Sequence, residues 1–478
     1  MPALLRCFRT VVAVLTVAAA ARVMADDAKP VVKPADKVSF YRQVRPILQR
    51  NCAGCHQPAK DSGKLVLTSY DGLKKGGENG EGFVAGKPEE SNMIEYISGT
   101  KPEMPRNADP LKSKEVELFS RWIKEGAADD TPPSVQDTVG PGNPPKYSRP
   151  PVITALAYAP DSRQLAVSGF HEILLHHVNG KGADGGGPVA RLVGRSQRIE
   201  SLQYSPDGKL IGAVGGAPAL FGEVQFWDVA AKKLVQSQSI SFDTLFGASF
   251  SDDGKLFAFG GAYNRARVVK VADGKIIMRF DAHSDWVFGT TFSLKLDHLI
   301  TISRDMSMKL VIIENGQFVD NITSITPGAL KGGLQAVQRH PGREEVLIGG
   351  SDGEPKLYQI FRTKTRVIGD DFNRIRSYAP LPGRIFDLQF NKDGSRFVVG
   401  SSTATGGAAR IYGTDDGKLM HELSGIHGPV FAVAFRPDGK QVAIAGFEGI
   451  VRLYDAESGA MAKEFLPVEL TPAQTAAK

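Results

Sequence analysis

At 478 residues the chain exceeds one ordinary domain, and two folded units are expected. Hydrophobic residues at 42% and 52 glycines describe a strand- and turn-rich globular protein and exclude a disordered one. The formal charge of +6 falls to +3 without the first 25 residues, which hold Arg6, Arg9 and Arg22 and no acid; no lysine/arginine block remains as a nucleic-acid footprint.

Residues 1–25 read as a signal peptide. Arg6 and Arg9 form a basic start, Val11 to Ala21 is apolar but for Thr16, and Val23-Met24-Ala25 ends on the small residue a signal peptidase reads. An uncleaved anchor is the alternative, but eleven apolar residues fall short of the roughly 20 that span a bilayer. The expectation is an exported, periplasmic protein with no integral membrane span in the mature chain. Cys7 leaves with the signal, so only Cys52 and Cys55 remain of three cysteines.

A polar lead (26–37) precedes a unit expected at 38–128. Phe40, Val44, Ile47 and Leu48 mark one face of a helix that runs into the cysteines, bent or shortened at Pro46. A shorter helix is predicted over Glu90–Ile97. A stronger one is predicted after Ser113 as N-cap, carrying Val116, Phe119, Trp122 and Ile123 and stopping at Gly126. Residues 129–151 hold seven prolines and read as a semi-rigid linker.

Cys52-Ala-Gly-Cys55-His56 is the attachment sequence for c-type haem. Two thiols a helical turn apart add to the two vinyl groups on one edge of the ring, and the histidine next in sequence binds the iron. A zinc site needs four ligands and no second cysteine pair exists. A thioredoxin-like pair follows a strand, whereas a helix is predicted here. Met104, in the proline-flanked Pro102-Glu-Met104-Pro105, is the expected sixth ligand, and Met/His ligation raises a haem's potential. Met93 is its rival, placed in a helix where methionine more often fills a core. One covalent haem c is therefore expected.

Residues 38–128 resemble the planctomycete-type cytochrome c domain, through Val44-Arg-Pro-Ile47-Leu48, Cys52-Ala-Gly-Cys55-His56, Gly86-Lys-Pro-Glu-Glu-Ser91, Pro102-Glu-Met104-Pro105 and Arg121-Trp122-Ile123. The resemblance implies a small all-α, class I-like monohaem electron carrier. It carries over Cys52, Cys55 and His56 as haem residues and Met104 as the axial ligand. Arg106 stands where the family often has a second proline.

From residue 152 the sequence repeats. Turns recur at Pro160-Asp161, Pro206-Asp207-Gly208, Asp252-Asp253-Gly254, Leu296-Asp297, Pro341-Gly342, Asp393-Gly394 and Pro437-Asp438-Gly439, about every 45 residues, which gives seven units of four strands. Third strands are legible at Ile173–His177, Val224–Asp228, Val268–Val271, Lys309–Ile312, Lys356–Tyr358, Arg410–Tyr412 and Val451–Asp455. These repeats resemble WD repeats over 152–467, which implies an all-β seven-bladed propeller, followed by a disordered tail at 468–478. Strands at 362–383 are the alternative route to an eighth blade.

Within the propeller, His283 and Asp305 are expected to hydrogen-bond across a blade, with His427 in a similar slot opposite Glu448. His171, His176 and His177 cluster, but neighbouring strand residues face opposite ways, so His176 and His177 do not share a site. No catalytic constellation stands out. Long loops at Gly215–Glu223, Gly260–Arg267, Gly400–Ala409 and Thr363–Gly383 are expected on one face, with Leu220, Phe221, Tyr263, Phe372 and Tyr378 as anchors for a protein partner.

The expected whole is an electron-transfer cytochrome with a redox partner protein and a second protein partner on the propeller loop face. The alternatives are a redox enzyme with a second site in the propeller and a non-redox, haem-stabilised scaffold. The linker is expected to hold the two halves apart, with the cysteine edge open and each half able to fold alone.

Overall fold

The computed structural model describes residues 37–471 apart from 59, 107, 133–138, 179–186, 327–329 and 368. The expected signal peptide, the polar lead to residue 36 and residues 472–478 lie outside the described residues.

Seven antiparallel four-stranded sheets follow one another: blades 1 (156–193), 2 (198–241), 3 (245–280), 4 (287–321), 5 (334–377), 6 (384–422) and 7 (430–465). The expected seven-bladed propeller is present. Each blade runs outward in sequence order, so its first strand lines the axis. The Asp-Gly turns that announced the repeat join first strand to second. Asp207 Oδ1 accepts from the Lys209 amide at 3.1 Å, and Gly208 sits at φ +71°, where a side chain would strain the turn. The third strand of blade 2, Phe221–Asp228, is buried at every position but the last, as expected of a strand sandwiched between sheets.

Polar side chains on the axis tie each blade to the next. Gln203 Oε1 accepts from the Phe250 amide at 2.9 Å, and Gln338 Oε1 from the Phe390 amide at 2.6 Å. Asp387 Oδ2 and Gln389 Oε1 accept from the amides of Val433 and Phe435. Blades 1 and 7 each keep their own four strands, so the ring closes by packing and by bonds such as Ile153 N to Gly446 O (3.0 Å) and Tyr158 Oη to Gln441 Oε1 (2.8 Å).

The alternative of an eighth blade is set aside, and two expectations are corrected. Residues 362–383 supply no eighth blade: their single strand, Arg374–Ser377, is the outer strand of blade 5, in register with Lys356–Tyr358. The tail is not free from 468 onward. Val468 is buried with Phe465 and Tyr147, Leu470 bridges Tyr147, and the Thr471 amide donates to Tyr147 O at 2.8 Å. The same tyrosine shows why the linker is no spacer. Its hydroxyl donates to Glu172 Oε1 at 2.7 Å and Arg191 Nη2 donates to Pro145 O at 2.6 Å, so the linker's second half lies along blade 1.

The N-terminal region carries α1 (Arg45–Asn51), α2 (Tyr70–Lys75), α3 (Asn92–Ile97) and α4 (Ser113–Lys124). Pro46 falls in the first turn of α1, where its missing N–H breaks no bond, after a wide turn at Phe40–Val44. The N-cap of α4 is Lys112, one residue before the expected Ser113: the Lys112 amide donates to Glu115 Oε2 at 3.1 Å. Gly126, at φ +99°, follows its end as read from the sequence. The core is aromatic, with Trp122 against Phe40 (5.4 Å between centroids) and Phe83 (5.0 Å). The expected all-α unit is present only in part, since helices are few among the described residues. Three of the four helices have six or seven residues, and a short ladder pairs His56–Gln57 with Lys60–Asp61.

Candidate functional site

The cysteine motif forms where α1 ends. The Cys52 amide still donates to Leu48 O at 2.9 Å, and Cys52 O then accepts from the amides of both Cys55 and His56 at 3.2 Å. This turn brings Cys52, Cys55 and His56 together as the spacing demands. Cys52 is half-buried against the aromatic core and Cys55 is exposed. The His56 carbonyl is fixed by the Leu67 amide at 2.8 Å, and its Nδ1 is buried without a partner.

Met104 packs against the same core as Cys52, whereas Met93 is buried in its centre, as core filling requires. One thiol and one thioether, Cys52 and Met104, therefore share one cluster, while Cys55 faces blade 2.

Electrostatics separate the chemical alternatives. Burial pushes the Cys52 thiol up to about 12, with Cys55 adding and Arg195 opposing. Burial also raises Cys55, against Lys60 and Arg195. A dithiol used for exchange needs a lowered thiol, and this pair has the reverse. Burial lowers His56, outweighing nearby carbonyls of Ser62 and Leu65, so the ring is held neutral with a lone pair available. Among the described residues, no group of three or more His, Cys, Asp or Glu stands ready for a metal ion.

The halves do not stand apart as expected: the attachment loop rests on blade 2, although Cys55 keeps an exposed surface. The loop lies on the outer strand of blade 2, Lys233–Ser241. Cys55 Sγ donates to Ser237 O at 3.5 Å, and Lys60 Nζ donates to Val235 O at 2.7 Å. Gly54 approaches so closely that a Cβ would lie 3.0 Å from Ser239 N. Gln57, fully buried, donates to Glu223 Oε1 at 2.9 Å and to Ser237 Oγ at 3.2 Å. Sequence reasoning missed Gln49, Gln57, Arg195 and Glu223. One signal was available: Glu223 and Gln225 sit in an otherwise apolar third strand, which is costly unless partners are supplied.

In the propeller, His283 Nδ1 meets Asp305 Oδ2 at 2.8 Å and its Nε2 meets Thr301 Oγ1 at 2.8 Å, the expected cross-blade role. Burial raises the Asp305 carboxyl, but bonds from His283 and Ser307 outweigh it and hold the group well below the usual range. Glu448 pairs with Arg452 at 2.7 Å. His176 is buried and His177 exposed, as strand alternation requires.

The loop-face anchors need revision. Phe221 is 4% exposed beneath the Arg195 guanidinium, and Tyr378 is 3% exposed with its hydroxyl on Thr414 O. Tyr263 is half-buried beside Arg267, and of the five anchors only Leu220 is exposed, at 40%. Phe372 follows the third strand of blade 5 and precedes its fourth, which puts it on the opposite face. The exposed apolar side chains of the expected face are instead Val152, Phe170, Phe242, Met306 and Phe447, with Leu220. Val152, Phe170 and Phe447 line an axial cavity of about 1150 Å³, with Phe246, Trp286, Phe288, Phe386 and Phe431.

Residues 52–107 match the family model for planctomycete cytochrome C. Residues 417–455, in blades 6 and 7, match the WD domain, G-beta repeat. Relatives match through their WD repeats at low identity. WD repeat-containing protein 1 of Gallus gallus is 28% identical over 121 residues, 25% of this chain and 18% of that protein. Periodic tryptophan protein 2 of Arabidopsis thaliana is 23% identical over 245 residues, 51% of this chain and 25% of that protein. Eukaryotic translation initiation factor 3 subunit I of Candida glabrata is 22% identical over 299 residues, 57% of this chain and 72% of that protein. The chain thus spans a quarter or less of the first two. It joins a cytochrome-like segment to a WD-type propeller, a fold that offers surfaces to protein partners. Among the described residues no helix is long and apolar enough to cross a membrane.

Proposed function

We propose that the protein is an exported, periplasmic monohaem c-type cytochrome that passes single electrons, and that its propeller is a docking platform for protein partners. One observation carries the reading: Cys52, Cys55 and His56 are gathered by a single turn at the end of α1, inside the segment that matches a cytochrome family.

The residues fit a covalent haem c. Cys52 and Cys55 would hold it through thioethers, protonated thiols being what adds across vinyl groups. His56 is neutral and has a buried ring nitrogen without a partner. Met104, which packs against the same core as Cys52 from a proline-flanked loop, would supply a thioether to the iron. When bound, the group supplies one-electron iron chemistry at a potential raised by Met/His ligation. The chain's own residues orient the imidazole, exclude water with the Phe40, Phe83 and Trp122 core, and hold the attachment loop against blade 2.

A redox partner protein completes the electron path. A second protein partner is expected on the propeller face carrying Phe170, Phe242 and Phe447, where a WD-type fold presents its loops. In the test, Met104→Ala abolishes the weak charge-transfer band of a methionine–iron(III) bond and lowers the potential, while Met93→Ala keeps both. The reverse pattern overturns the ligand assignment.

A further inference from the structure

Two buried charges of the propeller stand beside the attachment loop. Arg195, between blades 1 and 2, is 5% exposed, and Glu223, on the third strand of blade 2, is fully buried; Arg195 Nε reaches Glu223 Oε1 at 3.1 Å. A buried pair loses its hydration and persists only where further hydrogen bonds satisfy it. Within the propeller, Glu223 accepts from Ser196 Oγ (2.5 Å), Gln225 Nε2 (2.8 Å) and Ser237 Oγ. Arg195 Nη2 donates to Ser239 Oγ, and its guanidinium lies 3.7 Å over the Phe221 ring.

The remaining partners come from the cytochrome-like region, on both sides of the motif. Arg195 Nη1 donates to Gln49 O at 3.1 Å, three residues before Cys52. Gln57, next to His56, donates to Glu223 Oε1 at 2.9 Å and back to Gly54 O at 3.0 Å. The charged pair therefore grips the start and the end of the loop.

We propose that Arg195 and Glu223 are positioning residues of the attachment site: blade 2 forms its second wall, and the pair fixes the loop and sets the local field on whatever redox group the loop holds. The field rests on the haem reading above; the grip does not. In this dry setting the two charges nearly cancel, and removing either exposes the other. Arg195→Met leaves a carboxylate that favours the oxidised, more positive state and lowers the potential. Glu223→Gln leaves a guanidinium and raises it.

The test uses the full chain and two readouts. Hydrogen exchange of the amides at 49–57 accelerates about tenfold in each variant, the size of one lost charge-assisted hydrogen bond. Redox titration then gives shifts of opposite sign, with the double variant near the native value. A merely structural pair moves both single variants in the same direction. Gln57→Leu, which leaves the propeller pair intact, keeps the grip testable should either charge variant fail to fold. Unchanged exchange at 49–57 overturns the grip; shifts of one sign, or none, overturn the field. A protein that carries no haem defeats the functional reading, and the exchange result still decides this one.

Discussion

The propeller and the cytochrome-like region solve the same problem by opposite means. The propeller repeats one unit seven times, and every sheet finds its apolar partner in the next copy, so order spreads around a ring. The N-terminal region has about ninety residues, short helices and one aromatic cluster, and a unit of that size buries a smaller share of its surface than a larger one. It borrows a wall. Residues 49–57 lie on a propeller strand and use propeller side chains to satisfy their polar groups. A small domain fused to a large one is thus held by its neighbour, at the segment where its chemistry is placed.

That contrast is broken most severely at the aromatic cluster. Trp122→Ala removes a fully buried ring between Phe40 and Phe83 and costs about 3–5 kcal/mol. Calorimetry should show the N-terminal region melting before an unchanged propeller transition. A single shifted transition instead would mean that the two regions unfold together.

A smaller effect tests the propeller alone. Burial lowers the His176 ring from 6.5 to about 4, so the unfolded chain takes up a proton that the folded one refuses. Stability falls as pH drops from about 6.5 towards 4, by up to about 3 kcal/mol. His176→Phe should flatten that part of the denaturation profile relative to the native chain. An identical slope in both proteins contradicts the assignment.

The smallest effect on stability comes from the loop face. Changing Phe170, Phe242 and Phe447 together to alanine should move stability by no more than about 0.5 kcal/mol per site, since all three are exposed. Under the proposed reading, capture of a protein partner from cell extract should nevertheless weaken. Unaltered capture would place that surface elsewhere.

What was legible in the sequence is what is local. The Asp-Gly turns, the third strands and the Cys-x-x-Cys-His turn each depend on residues within a few positions of one another, and each forms as read. What was not legible depends on pairs remote in sequence. Gln57 and Glu223 are 166 residues apart, and neither alone announces the other. Phe372 was misplaced because its face depends on which two strands of blade 5 flank it. Phe221 has the composition of an interface anchor but lies beneath Arg195. The linker's prolines suggested a spacer, yet Tyr147 decides the course of its second half by reaching Glu172 on the first blade.

The account rests first on a thioether-held haem at the end of α1. Intact-mass spectrometry of the purified protein after denaturation in acid-acetone measures this directly. One haem per chain should remain attached, and Cys52→Ala with Cys55→Ala should release it entirely. A chain of bare polypeptide mass, or one carrying two haems, would contradict the account.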